Sequence, residues 1–219
     1  MSEPTPTAGD VIVSPDTLRE TRIPPRQVLT RKWPVLHAGP TPSFDPAAWD
    51  LTVFPEPLVK AVKRFTYAEF MALPRVTVHA DMHCVTRWSK LDNNWEGVST
   101  REVMRHVEVD PRAKSVMVHC EYGFTTNLPL AEFLGEDCLF AFRHNGQDLE
   151  PDHGWPLRLV VPRLYAWKSA KWVRGIELME RDRAGFWESW EHGGYHMLGD
   201  PWREERFRED KGHGAIGRS

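Results

Sequence analysis

The chain has 219 residues, 41% of them hydrophobic, and a formal net charge of −3 at pH 7. This length and apolar content suffice for one main domain with a substantial core. Lys and Arg are scattered among Asp and Glu, which argues against nucleic-acid binding. No stretch approaches the roughly 18 apolar residues of a membrane span, and no export signal begins the chain, so we expect a soluble, cytoplasmic protein without a membrane partner.

The cysteine content excludes two common classes of small protein. Cys84, Cys120 and Cys138 form no CxxC pair, and three cysteines cannot all pair with one another. Neither a disulfide framework nor a zinc ribbon is therefore indicated. We expect three reduced thiols.

The amino-terminal quarter of the chain is rich in proline. Residues 1–28 carry little periodic apolarity and predict a flexible leader, so that the domain begins at residue 29. The prolines in residues 31–54 predict extended loop, because proline disrupts helices. The next segment, "TYAEFMAL", predicts a short helix capped by Thr66, with Phe70 and Leu73 facing inward.

Apolar and polar residues alternate in "RVTVHADMHC", which predicts a half-buried strand. Every second residue from Val76 to Cys84 is apolar or a cysteine, whereas the residues between them, His83 included, are polar. Cys84 is thus in phase with the apolar face. We expect its side chain to point inward and that of His83 to point outward.

The remaining elements are short strands and short helices. "STREVMRHV" predicts a helix that begins with a capping box of Ser99 and Glu102, and "PLAEFL" predicts another that begins at Pro129. Strands are predicted for "SVMVHC", "CLFAFRHNGQDL" with its Asn145–Gly146 hairpin turn, "LRLVVP" and "KWVRGIELME". This mixture indicates an α+β fold with mixed or antiparallel sheets. Nucleotide-binding glycine motifs are absent from the sequence.

Four interpretations of Cys84 compete. It is a buried structural thiol, a nucleophile with His83 or His79 as base, a zinc ligand together with His79 and His83, or a thiolate bound to a softer redox metal. The cation Arg87 lies three residues on and favours the deprotonated form that a metal requires. The sequence around Cys84 therefore favours the fourth interpretation without excluding the others.

Cations and aromatic residues are interleaved between residues 152 and 172. Guanidinium groups bind phosphate in bidentate fashion and ammonium groups supply point charges, so this pattern suits an anionic, planar, phosphate-bearing ligand. The cations are Arg158, Arg163, Lys168 and Lys171, and the aromatic residues are Trp155, Tyr165 and Trp167.

Three stretches together resemble a known family. "DMHCVTRWSKLDNNWEGV", "HGWPLRLVVPRLYAWKSAKWV" and "GGYHMLGDPWREERF" are similar to the bacterial sulfite-oxidase-like oxidoreductases, the molybdopterin-binding domain family that includes sulfite oxidase and the methionine-sulfoxide reductase catalytic subunit. The resemblance covers residues 29–207 and leaves residues 208–219 as a polar tail. It implies the sulfite-oxidase-type fold, with mixed sheets, short helices and long loops.

The resemblance also implies a cofactor and a set of site residues. One molybdenum and one molybdopterin are expected per chain, with the metal bound by the two dithiolene sulfurs and by Cys84. Arg87 is expected beside the substrate. The residues matched to cofactor binding are Arg31, Lys32, His37, Cys84, Cys120, His153, Arg158, Lys168, Ser169, Ala170 and Lys171.

The activity implied is two-electron oxygen-atom transfer on a small substrate, an S-oxide, an N-oxide or a sulfite-like anion, with a further protein as electron-transfer partner. Val-Thr-Arg follows the cysteine where sulfite oxidases carry Ala-Gly-Asn-Arg, so sulfite itself is not favoured. Two alternatives stay open. One is a non-catalytic module that binds pterin or another anion on the same fold, and the other is a metal-free enzyme that uses Cys84 and His83.

Overall fold

Twelve β-strands and three short α-helices make up the part of the chain that the structure, a computed structural model, describes: residues 11–55, 57–189 and 198–203. In chain order the strands are β1 (Val11–Val13), β2 (Val28–Leu29), β3 (Asp50–Val53), β4 (Lys63–Thr66), β5 (Val76–Cys84), β6 (Trp88–Ser99), β7 (Ser115–Cys120), β8 (Thr125–Pro129), β9 (Leu139–His144), β10 (Gln147–Asp148), β11 (Arg158–Val160) and β12 (Val173–Met179). The helices are α1 (Tyr67–Met71), α2 (Thr100–Met104) and α3 (Leu130–Phe133).

The strands form two mixed sheets. The first sheet has the order β1-β5-β6-β9-β10, with β11 also paired to β9 and β2 to β6. The second has the order β4-β3-β12-β7-β8. Three strand pairs, β1 with β5, β2 with β6 and β3 with β12, are parallel, and the other pairs are antiparallel. Mixed sheets with short helices confirm the predicted α+β class.

The main core lies between the two sheets. Alternate residues of each strand face it, as the two-residue period of a strand requires. Buried residues of both sheets contribute to one cluster, among them Leu51, Val116 and Ile176 of the second sheet and Val98, Phe140 and Leu159 of the first. The opposite face of the first sheet does not belong to this core.

The predicted helix caps are present. The Thr66 hydroxyl accepts a hydrogen bond from the backbone N–H of Glu69, and the Glu69 carboxylate accepts one from that of Thr66, so α1 has a full capping box. At α2 the Ser99 hydroxyl accepts from the Glu102 N–H, which is one of the two hydrogen bonds of the predicted capping box. Phe70 is fully buried, as expected. No described helix combines the length and the apolar character needed to cross a lipid bilayer.

Residues 11–29, most of which the sequence predicts to be a flexible leader, contribute β1 and β2 to the first sheet. The Ser14 hydroxyl donates to the buried Asp137 carboxylate at 2.8 Å. Arg22 donates two hydrogen bonds to Asp81, whose side chain is fully buried. These contacts tie the segment to the sheet. Residues 1–10 and the predicted polar tail, 208–219, lie outside the described residues.

Gly97 of β6 has no room for a side chain against β9, and this contact tests the packing of the first sheet. A Cβ at this position would lie 2.1 Å from the Phe140 carbonyl oxygen. We expect Gly97→Ala to lower the free energy of unfolding by about 3 kcal/mol or more, since backbone would have to move. Urea denaturation measures this loss.

The matched control is Gly123→Ala, where φ is +75° and no atom lies within 4 Å of the added Cβ. Only the cost of a left-handed backbone applies there, about 1 kcal/mol. Equal losses for the two variants would contradict the close approach of β6 and β9.

Candidate functional site

The register of the first sheet places Cys84 on the face that lies away from the main core. Residues directly opposite each other on paired strands project to the same side of a sheet. The opposed pairs that define this face are Cys84 and Trp88, Met82 and Lys90, Ala80 and Asn93, Trp95 and His144, and Ala141 and Arg158. A second buried cluster, which includes Val78, Met82 and Trp95, forms the floor of this face. The prediction that Cys84 shares the apolar face of its strand is confirmed.

The expectation that His83 points outward to solvent is wrong. His83 is fully buried on the opposite face, where its Nδ1 lies 2.8 Å from the Ser89 hydroxyl. The alternation of β5 itself holds, but its polar side is covered: Arg22 binds the Asp81 carboxylate, and the Trp202 ring lies edge-on to His83 with centroids 6.4 Å apart. His83 is therefore directed away from Cys84. A nucleophile–base pair or a zinc site that uses both side chains has no support in this geometry.

Cys84 ends β5 in a tight turn. Its backbone carbonyl accepts hydrogen bonds from the Arg87 N–H at 2.9 Å and from the Gln27 side-chain amide at 3.0 Å. Its sulfur accepts a hydrogen bond from the Thr86 hydroxyl at 3.1 Å. Arg87 adopts a left-handed backbone, with φ of +71°, and is exposed. The turn presents a buried sulfur at the edge of the surface, with an arginine beside it.

Arg158 is a buried cation next to this sulfur. Its Nη1 donates to the His153 carbonyl at 3.0 Å, whereas its Nε has no hydrogen-bond partner among the described residues. Burial lowers the pKa of Arg158 to about 10, and the charge of Cys84 acts in the opposite direction. No carboxylate of the described residues forms an ion pair with Arg158.

Lys171 extends the cationic site. It lies opposite Arg158 in an isolated antiparallel bridge, and its Nζ donates to the Asp152 carbonyl at 2.5 Å. Burial, together with the charge of Arg158, lowers the pKa of Lys171 to about 7. Gly154, at φ +117°, leaves space for the side chains of Arg158 and Lys171, because a Cβ there would lie 3.0 Å from the Arg158 Cβ.

An aromatic stack borders the cations. The Trp33 ring stacks on His153 with centroids 3.9 Å apart, and it contacts His144 at 4.4 Å on a tilted approach. Burial and the charges of Lys90 and Arg158 lower the pKa of His144 to about 3, so this imidazole is neutral. His144 is thus an uncharged ring, kept so mainly by its burial and in addition by the cations around it.

Residues 27–37, which we call the cover segment, run across the site from one end to the other. Gln27 binds the Cys84 carbonyl, Trp33 stacks on His153, and the His37 ring packs edge-on against Trp172, beside Lys171, with centroids 5.0 Å apart. The segment connects the sulfur end of the site to the lysine end.

The structure brings together only part of the predicted set. Cys84, His153, Arg158 and Lys171 lie on one face, and His37 adjoins them through Trp172. The side chains of Arg31 and Lys32 are exposed, and they form no hydrogen bond or ion pair with the part of the chain that the structure describes.

Four other predicted cofactor residues serve the core or the backbone. Lys168 is buried in an ion pair with Glu188 and donates to the Asn127 carbonyl at 2.7 Å. The Ser169 hydroxyl accepts from the Val161 N–H at 3.0 Å. Ala170 and Cys120 belong to the main core, where burial raises the pKa of the Cys120 thiol.

Several residues of the site are not predicted by the sequence reasoning. Gln27 and Trp33 act through contacts between distant segments that no local pattern reveals, whereas Thr86 contacts the sulfur from the turn that directly follows Cys84. Lys90 has a local signal, because it is two residues from Trp88 on an alternating strand and so shares its face. The "GGYHMLGDPWREERF" stretch lies largely outside the described residues, which include only 198–203 of it.

Comparisons with known proteins identify the fold and the family. The model of the family "Oxidoreductase molybdopterin binding domain" matches residues 38–187. The "Uncharacterized oxidoreductase YuiH" of Bacillus subtilis is 46% identical over 190 residues, which cover 86% of this chain and 93% of that protein. "Nitrate reductase (NADH) 2" of Phaseolus vulgaris is 27% identical over 182 residues, and the match covers 68% of this chain but 20% of the plant protein.

Among solved structures, the sulfane dehydrogenase SoxCD of Paracoccus pantotrophus superposes with a TM-score of 0.59 at 22% identity, over 69% of this chain and 42% of that one. This likeness shows that the two proteins share a fold, the sulfite-oxidase-type arrangement of mixed sheets. With the family match over most of the chain, it confirms the predicted resemblance. The chain belongs to the oxidoreductase molybdopterin-binding domain family, and it is an oxidoreductase whose cofactor is molybdenum with molybdopterin.

Proposed function

We propose that the chain catalyses two-electron oxygen-atom transfer on a small substrate, with the molybdenum of its cofactor bound by the Cys84 sulfur. The observation that supports this proposal is the pairing of a buried sulfur with a buried arginine that has no carboxylate partner among the described residues. A buried cation without a counter-charge is costly, so a chain that keeps one has an anion to bind.

The residues present fit such a cofactor. Molybdopterin carries soft sulfur donors at one end and a phosphate at the other. A thiolate is a suitable additional ligand for the metal, and Cys84 supplies it at one end of the site. Arg158 supplies positive charge beside the sulfur, and Lys171, with His37 nearby, extends it toward the other end, as phosphate binding requires. We assign His153 and the Trp33 ring to the pterin between these ends.

Each side chain then has a definite task. When bound, the cofactor supplies the exchange of an oxygen atom and of two electrons with the substrate. Arg87 attracts an anionic or polarised oxygen of the substrate to the exposed side of the turn. Thr86 positions the Cys84 sulfur through its hydrogen bond. The cover segment limits the access of water to the cationic end. Substrates of this description include S-oxides, N-oxides and sulfite-like anions.

Arg31, Lys32, Lys168, Ser169, Ala170 and Cys120 contribute in other ways under this proposal. The Lys168–Glu188 pair and the Ser169 hydroxyl hold the loop that leads into Lys171, and Ala170 and Cys120 fill the core beneath it. Their effect on the cofactor is therefore indirect. Arg31 and Lys32 are exposed, and we assign them to a contact with another molecule.

The Cys84 assignment is tested by metal analysis. We expect Cys84→Ala to lower the molybdenum content of the purified protein by about 10-fold or more, because the metal loses its only ligand from the protein. Cys138→Ala is the control, since Cys138 is a buried core thiol whose pKa burial raises to about 12. A Cys84→Ala protein that retains molybdenum and turns over S-oxides, N-oxides or sulfite would refute the proposal. Bound cofactor without turnover of these substrates by the unaltered chain would favour the non-catalytic alternative.

The cationic end is tested by the pH dependence of stability in the cofactor-free protein. The Lys171 pKa falls from its ordinary 10.5 to about 7 on folding, so the buried charge destabilises the fold fully below pH 7 and no longer above about pH 10.5. We therefore expect Lys171→Met to raise the urea midpoint at pH 6, with a gain that shrinks as pH rises through this window.

The same variant should bind molybdopterin less well, as measured by pterin content. The exposed Lys114→Met serves as its control and should change neither quantity. If Lys171→Met left pterin content at the level of the unaltered protein, the phosphate-end assignment would be wrong.

Thr86 is tested by spectroscopy. A hydrogen bond to a thiolate withdraws electron density from the sulfur. We expect Thr86→Val to shift the sulfur-to-molybdenum charge-transfer band to longer wavelength and to lower the midpoint potential, and Thr86→Ser to restore both. Thr77→Val, on β5 and remote from the sulfur, controls for the loss of a hydroxyl. An unshifted band in a fully loaded Thr86→Val protein would exclude this role.

A further inference from the structure

We propose that the outward side of the cover segment docks an acidic electron-carrier protein. The proposal rests on the function proposed above, because each catalytic cycle then leaves two electrons to be exchanged with a partner. A one-electron carrier would pass them singly, so that two carrier molecules are oxidised or reduced per substrate.

The cover segment exposes an unusual amount of aliphatic surface. Val28, Leu29, Val35 and Leu36 are 68%, 58%, 43% and 54% exposed. These four lie within nine residues; Val11, Val13 and Leu18 form a smaller group, and the other exposed large hydrophobic side chains of the described residues are spread over the rest of the chain. Clustered exposed apolar side chains mark interaction surfaces, and isolated ones do not.

Charge on the same segment points to an acidic partner. The chain as a whole has a net charge of −3, yet residues 21–44 contain four cations and no Asp or Glu. Arg22 is used in its ion pair with Asp81. Arg31 and Lys32 lie between the two aliphatic pairs and are exposed. An apolar patch with a cationic centre is complementary to a carrier that presents carboxylates around an exposed cofactor edge.

The position of the surface suits electron transfer. Val28 donates its N–H to the Arg87 carbonyl at 2.9 Å, and the neighbouring Gln27 binds the Cys84 carbonyl. Only β6 lies between β2 and the end of β5. A carrier bound at β2 is therefore one strand away from Cys84, the proposed metal ligand. No other exposed aliphatic cluster of the described residues has this connection to Cys84.

Two other occupants fit less well. Surfaces that bind membranes are usually amphipathic helices with outward aromatic rings, but the cover segment contains no helix and its Trp33 packs inward on His153. A second copy of the chain in a two-fold dimer would bring the same cations face to face, which electrostatic repulsion opposes.

The test measures binding of the molybdenum-loaded full chain to two probes, an acidic flavodoxin and a basic cytochrome c, at low and high salt. We expect the flavodoxin to bind more tightly than the cytochrome, with an affinity that falls as salt is raised. Val28→Glu/Leu29→Glu should weaken this binding by about 10-fold or more. Leu18→Glu/Val62→Glu, which changes the net charge equally on exposed residues elsewhere, should not.

Several outcomes would overturn the proposal. These are tighter binding of the cytochrome, equal effects of the two double variants, capture of the chain by phosphatidylglycerol vesicles in competition with flavodoxin, or a dimer in solution that Val28→Glu/Leu29→Glu converts to monomer. Should that variant lose its metal, Val28→Ser/Leu29→Ser takes its place. Molybdenum content is measured in every preparation. An unaltered chain that lacks molybdenum refutes the proposed function, whereas an unaltered chain that contains molybdenum but does not bind flavodoxin refutes only the docking surface.

Discussion

The burial of Arg158 beside Cys84 is the constraint around which the rest of the site is arranged. A guanidinium group inside a protein needs either a carboxylate or a ligand. Here the described residues offer it a backbone carbonyl, the sulfur of Cys84 and the face of the Trp33 ring, but no carboxylate. The arrangement persists because β9 sits between β6 and β11 and fixes both residues on one face. The fold thus maintains a buried positive charge without a counter-charge among the described residues, which an anionic cofactor bound as proposed would neutralise.

Sequence patterns predicted the fold class, most short elements and the face of Cys84. Period-two alternation identified β5, the Asn145–Gly146 pair identified the β9–β10 turn, and Thr66 identified the start of α1. The long strand β6 was not predicted, because Asp92, Asn93 and Asn94 resemble a turn. In the structure a bulge at Asp92 absorbs these residues, and pairing with β5 and β9 overrides their low strand propensity.

The site was predicted less completely than the fold, for a physical reason. Cys84, Arg158 and Lys171 follow from residue chemistry and spacing, yet their neighbours depend on contacts over long sequence separations, such as Trp33 with His153. The same limit explains why the sequence does not reveal the ion pair of Lys168. A lysine in a basic run resembles a ligand for phosphate, but the Glu188 that neutralises it is distant in sequence, and only folding brings the two together.

The cover segment also has a consequence for how the holoenzyme is made. The segment contacts the rest of the site at three places. Gln27 donates a hydrogen bond to the Cys84 carbonyl, Trp33 stacks on His153, and His37 packs against Trp172. If the pterin binds where it is assigned above, it would reach Arg158 and Lys171 only while these contacts of the cover segment are broken. Cofactor insertion would then precede the final docking of the cover segment onto the first sheet.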